Sequence, residues 1–197
     1  MRFALRGRVV FFATNNMNKF NEARKVLSQH GIATGMLRVK SVEIQSDSLD
    51  EIAKASVKVA FGLCRLPVIV EDAGLFVDAL KGFPGPYASY VYRTIGNQGL
   101  LRAMEKSKDR EAVFRSVVAY LDGRLNSPKL FCGEVRGMIT KYEERKSVES
   151  GFGFDPIFMP DDSKKTFAEM DIEEKNRYSH RAKAIMSFAK WYGKLRS

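Results

Sequence analysis

Cysteine is nearly absent from this chain. Cys64 and Cys132 are the only two in 197 residues. They are too few for a disulfide framework, and they lack the CxxC spacing or partnering histidines of a structural zinc site. Both are expected as reduced, buried thiols of a cytoplasmic protein. Long hydrophobic runs are missing too: no stretch of about 18 uncharged apolar residues occurs, so no membrane association is expected. The opening, Met1 to Arg8, mixes three arginines with only Phe3, Ala4 and Leu5, which does not make a secretory signal. Neither GxxxxGK followed by Ser or Thr nor GxGxxG occurs, which excludes a P-loop and a dinucleotide fingerprint. Positive charge is plentiful, at a formal net +10, but it is dispersed along the chain. Without a Lys/Arg-rich tail or a basic run with interleaved aromatics, no dedicated nucleic-acid partner is expected, and a small phosphorylated substrate remains open.

What is present suffices for a sizeable core. Apolar residues make up 45% of the chain, which suits a single domain over residues 1–197. Val9 to Ala13 is a short apolar run of the kind that forms a buried strand. It leads into a polar loop, Thr14 to Asn18, after which Phe20, Ala23, Val26 and Leu27 recur at helical spacing until Gly31. A second strand is expected over Leu37 to Ile44. Ser48-Leu49-Asp50-Glu51 then reads as a capping box opening a helix to about Cys64. Pro67 to Val70 starts another buried strand that delivers Glu71 and Asp72 at its end. Gly82 to Pro86 is turn chemistry ahead of a helical region from about Tyr87 to Lys106. Glu111 to Leu121 and Leu130 to Thr140, with Asp122-Gly123 between them, read as a long antiparallel pair. A last helix begins near Ser179 with Ala182, Ile185, Met186 and Ala189 on its apolar face. Strands alternating with helices give an α/β fold.

Four places carry possible chemistry, each with a plainer alternative. The loop Thr14-Asn15-Asn16-Met17-Asn18-Lys19 joins a strand to a helix start, where free N–H groups and the dipole favour an anion. The same Thr and Asn side chains also serve simply as helix caps. Glu71 and Asp72 are adjacent on a strand, so alternation sends their carboxylates to opposite faces and only one meets the site. Asp72 with Glu43 offers the oxygen donors that a hard divalent cation takes; ordinary surface acids are the alternative. Phe152-Gly153-Phe154-Asp155 holds rings able to stack on a purine or to fill a core. Ser179-His180-Arg181 sets two hydrogen-bond donors at a helix N-terminus, although a lone histidine is usually structural, and His30, beside Gly31, is expected only to cap.

Six ordered motifs resemble the inosine triphosphate pyrophosphatase family over nearly the whole chain. They are Thr14-x-Asn16-x-x-Lys19-x-x-Glu22, Val70-Glu71-Asp72-Ala73-Gly74-Leu75, Gly82-Phe83-Pro84-Gly85-Pro86-Tyr87, Gly151-Phe152-Gly153-Phe154-Asp155-Pro156, Lys165-Thr166-Phe167-Ala168-Glu169-Met170, and Glu174-Lys175-Asn176 followed by Ser179-His180-Arg181. The resemblance implies an elongated mixed central β-sheet with flanking helices, two lobes around a nucleotide-binding cleft, and a homodimer. It implies hydrolysis of non-standard purine triphosphates (ITP, dITP, XTP) to the monophosphate and pyrophosphate. Thr14 to Lys19 and Lys175 would bind phosphates, and Glu43 and Asp72 would hold one Mg²⁺ per subunit. Asp72 would be the proton acceptor, and Glu71 the acid turned away. Phe152 to Asp155, His180 and Arg181 would hold the base. In two places the chain departs from the family pattern. Ser56, flanked by Lys54 and Lys58, stands where many members have a lysine, and Ala73 replaces a Ser or Thr, leaving only its backbone N–H for a contact. Related pyrophosphatases act on modified pyrimidine or methylated nucleotides, and a basic nucleic-acid-binding protein is the alternative from another class.

Overall fold

Five apolar residues in a row satisfy their backbone only by pairing on both sides, and Val9–Ala13 does so as β1. The computed structural model describes residues 8–39, 44–144 and 152–195. β1 lies between two parallel neighbours, β2 (Ala33–Leu37) and β3 (Val68–Val77). Parallel pairing demands a crossover, supplied by α1 (Met17–Gln29) and α2 (Leu49–Cys64). α1 buries Phe20, Ala23, Val26 and Leu27 and stops at His30, whose N–H bonds Leu27 O, with Gly31 at φ +66°. Ser48 caps α2 by accepting from Glu51 N, while the Glu51 carboxylate takes the Ser46 hydroxyl at 2.7 Å, so only half of the expected capping box forms.

Three elements differ from the sequence expectation, each for a tertiary reason. Among the described residues the second strand is Ala33–Leu37, which meets the expected Leu37 to Ile44 only at Leu37, while residues 40–43 of that expectation lie outside the described residues; Gly31 turns the chain directly into register with β1, Val9 opposite Ala33. Its glycine is a fitted one: a Cβ on Gly35 would stand 2.9 Å from the Phe11 ring. β3 does not end at Glu71 and Asp72, as expected, but runs on to Val77. Its first part pairs with β1 and its second with β4 (Pro84–Gly85), where a Cβ on Gly74 would fall 2.5 Å from Gly85 O. Pairing overrides the poor strand propensity of EDAG. The region after Tyr87 is two helices, α3 (Ala88–Thr94) and α4 (Gly96–Ala103), broken where Gly96 takes φ +63°.

β5 (Glu111–Leu121) and β6 (Lys129–Ile139) match expectation to within a residue, and β7 (Phe158–Pro160) pairs antiparallel with β6. The sheet is seven-stranded and mixed, in the order β2-β1-β3-β5-β6-β7, with β4 on β3. α5 (Ile172–Tyr178), capped by Asp171, precedes α6 (His180–Leu195).

Backbone contacts divide the described chain into two compact units. The first holds the residues up to Asp72, Val117–Cys132 and those from Ala184 onward. Its core includes an aromatic cluster in which Tyr120 meets Phe188 at 5.4 Å and Tyr192 at 5.5 Å, and Trp191 packs on Phe131. Tyr192 also donates to Val9 O. Both residues near the C-terminus therefore serve this core. The second unit, Ala73–Ser116 with the described part of Gly133–Lys183, centres on Leu75, Val77, Leu100, Phe114, Ile139, Phe154, Phe158 and Phe167. The two cysteines are free thiols, but neither is buried as expected: Cys64 is half-buried and Cys132 exposed.

Candidate active site

The candidate residues fall into two groups, one in each unit. In the first, β1 runs out at Ala13 and the chain turns on its own side chains. Asn16 N donates to Thr14 Oγ1 at 3.1 Å, Lys19 N donates to Asn16 Oδ1 at 3.1 Å, and Asn15 Nδ2 reaches Val39 O. The Thr and Asn residues thus build the turn and cap α1, as the plainer alternative anticipates. Met17, Asn18 and Lys19 belong to the first helical turn rather than to the loop.

Lys19 leaves that turn to meet β3. Its ammonium lies 2.9 Å from Glu71 Oε2 and 3.4 Å from Glu71 O, the carbonyl of the peptide that leads into Asp72. The Glu71 side chain is fully buried and that of Lys19 is 19% exposed. A buried carboxylate is tolerable only with such a partner. The acid expected to turn away from the site is therefore the one that grips the proposed phosphate lysine, and no local signal in the sequence pairs these two residues. Asp72 and Ala73 follow on β3, both half-buried. Glu43, the other expected metal ligand, lies outside the described residues.

The second group is a tight turn. Phe152 N donates to Asp155 Oδ2 at 2.8 Å, Asp155 N bonds Phe152 O, and Gly153 takes φ +63° between them. The same Asp155 oxygen receives the Lys175 ammonium at 2.7 Å. Lys175, from α5, is 1% exposed, so its charge is committed to this turn. Phe154 points into the core, edge-on to Tyr92, as its plainer alternative holds. Phe152 stays half-buried and carries cations: Lys175 Nζ lies 4.9 Å and Arg181 Cζ 5.3 Å from its ring centre.

α6 begins beside this turn. Ser179 caps it, its hydroxyl accepting from Ala182 N at 3.1 Å, and this fixes His180 and Arg181 in the first turn. Both are buried, at 2% and 3% exposure. The His180 ring lies flat on Phe114 of β5, with centroids 4.6 Å apart and planes 7° from parallel. Phe114 is a residue that sequence inspection misses, because nothing local marks a core strand phenylalanine as a platform for a distant histidine.

Residues 10–191 match the Ham1 family. The chain belongs to the Ham1 family. All six motifs fall within that span. A protein of Methanopyrus kandleri named dITP/XTP pyrophosphatase is 48% identical over 185 residues, 93% of this chain and 95% of its own length. One of the same name from Saccharolobus solfataricus is 47% identical, covering 94% of each. Among solved structures, the HAM1 protein of Coxiella burnetii superimposes with a TM-score of 0.82 at 27% identity, over 95% of this chain and 99% of that one. The Ham1 protein of Staphylococcus aureus gives 0.79 at 26%, over 95% and 100%. In this Ham1 chain, then, the motif residues form one group around the Lys19–Glu71 pair and another around the Asp155–Lys175 pair.

Proposed function

We propose that this Ham1 protein hydrolyses non-standard purine nucleoside triphosphates, ITP, dITP and XTP, to the monophosphate and pyrophosphate, and so cleanses the nucleotide pool of the cytoplasm. It is an enzyme of the nucleoside triphosphate pyrophosphatase class, as its relatives are named. The observation that carries the substrate choice is the pre-formed donor pair His180 and Arg181 at the capped start of α6, beside a Phe152 ring able to face a purine. Hypoxanthine and xanthine present a keto oxygen at the six position, an acceptor, where adenine presents an amino donor. Arg181 only donates, and His180 donates from at least one nitrogen. Sites that hydrogen-bond one substrate group reject an analogue unable to pair by about 10⁴-fold.

The phosphates are assigned to the α1 N-terminus with Lys19. Water attacks the α-phosphorus, Asp72 accepts its proton, and Lys19 offsets charge gathering on the leaving pyrophosphate. Lys175 is reassigned from phosphate to base: its ammonium holds the Phe152–Asp155 turn. Asp72 and Glu43 would hold Mg²⁺. Both are carboxylates, Asp72 is half-buried, and Glu71 beside it is charge-balanced by Lys19. The bound ion would screen phosphate charge and polarise water. A homodimer is supported by the exposed apolar side chains of α3 and its ends, Tyr87, Tyr90, Tyr92 and Ile95.

The test is a panel of triphosphates incubated with the protein and Mg²⁺, with products identified. Inosine monophosphate and pyrophosphate from ITP, with little product from ATP, are expected. Release of orthophosphate instead of pyrophosphate overturns the reaction, and equal hydrolysis of ATP and ITP overturns the base assignment.

A further inference from the structure

We infer that Phe114 is a positioning residue for base selection, setting the plane in which the His180 imidazole offers its hydrogen bond. The inference rests on the proposed role of His180 toward the base. Three observations combine in it. The His180 ring is stacked on Phe114 at 4.6 Å and 7°, a near-parallel, offset contact on one face of the imidazole. Phe114 is itself held: Phe158 meets it edge-on at 4.7 Å and Phe167 lies tilted at 6.1 Å, so the platform has little room to turn. The backbone of His180 is anchored by the Ser179 cap next to it.

A ring fixed at its backbone and covered on one face keeps its N–H vectors parallel to that face. Hydrogen bonds prefer an angle at hydrogen above about 150° and weaken steeply below about 120°. A tilt of the imidazole therefore subtracts from the bond to a keto oxygen, while adenine, which has no acceptor there, loses nothing. Phe114 thus acts on the ratio between substrates rather than on the chemical step. The Arg181 guanidinium lies over a different ring, Phe152, 5.3 Å from its centre, so the two donors meet separate aromatics.

The experiment compares kcat/KM for ITP and ATP in wild type, Phe114→Leu and the milder Phe114→Met, below their melting temperatures. The ITP to ATP ratio is expected to fall about threefold to tenfold, the range that a stacked aromatic pair is worth, through KM for ITP with kcat within twofold. In a His180→Ala background the same substitutions should leave the ratio unchanged, because the two residues act as one unit. An unaltered ratio in a folded Phe114 variant, or an equal fall in the His180→Ala background, overturns the inference. A wild type that does not discriminate sinks the proposed role of His180 instead. A measurement needing no Phe114 variant stands beside these. The chain has two histidines, and His30→Gln assigns them, so the ring protons of His180 should resonate upfield under the Phe114 ring current. Absence of that shift also overturns it.

Discussion

Lys175→Met removes one half of a buried ion pair and leaves the other in place. Asp155, with 5% of its side chain exposed, would keep the Phe152 N–H but lose the ammonium at 2.7 Å. Breaking a buried pair from one side typically costs about 3–5 kcal/mol, because the orphaned charge stays out of water. For a chain of this size each kcal/mol shifts Tm by about 2–4 °C, so a fall of about 6–20 °C is expected. Calorimetry reads it directly. Lys175→Met combined with Asp155→Asn should regain part of the loss, since no unbalanced charge then remains. The same variant decides between two roles for Lys175. If its ammonium holds the base turn, Lys175→Met weakens binding of inosine and of ITP alike; if it contacts phosphate, only the triphosphate suffers. A Tm change below 2 °C, with inosine binding intact, would refute the geometry and return Lys175 to the phosphates.

Asp72→Asn should lower kcat by at least about 10²–10⁴ with fold and nucleotide binding retained, and more than half of wild-type turnover at saturating Mg²⁺ would exclude its role as base. Lys19→Met should raise KM for ITP far more than it weakens inosine binding, because Lys19 is assigned to phosphate; equal losses in titration calorimetry would contradict that. Gly137→Ala should destabilise the protein by about 1–3 kcal/mol with kcat unchanged, since the new methyl would collide with Met159 O across β6 and β7. Partial desolvation by its neighbours and the nearby Asp50 carboxylate push the thiol of the exposed Cys132 up, so less thiolate is present at neutral pH. Alkylation of Cys132 should therefore be slow at pH 7 and faster in Asp50→Asn, which mass spectrometry would show.

The fold was legible wherever local pattern and tertiary pairing agree. Val9 to Ala13, the periodic face of α1 and the long strands β5 and β6 carry their own signal, because a continuous apolar run or a fixed period has few other uses. The misplaced elements are those whose conformation is set by a partner distant in sequence. Ala33–Leu37 is a weak strand sequence that pairs because Gly31 delivers it to β1, and EDAG stays extended because Gly74 allows Gly85 to approach. Ile95 and Gly96 end a helix on a single positive φ, which periodicity does not register.

For the site, the sequence nominates residues but does not tell which of them are partners. The six motifs named Lys19, Asp72, Lys175, His180 and Arg181, yet what each touches depends on chain crossings that no spacing rule encodes. Strand alternation predicts that Glu71 and Asp72 face opposite ways, but it cannot say which face carries α1, and the acid expected to point away holds Lys19. The same gap explains Lys175. Its motif position suggests a phosphate ligand, whereas its ammonium is 1% exposed and 2.7 Å from the Asp155 carboxylate, a pairing that no spacing announces. The physical consequence is that each unit holds its own balanced buried pair, Lys19 with Glu71 and Lys175 with Asp155. Lys175, buried and matched in place by Asp155, adds no free ammonium at the base turn, so selection there falls to the hydrogen-bonding donors His180 and Arg181, while the partly exposed Lys19 keeps its assignment to phosphate.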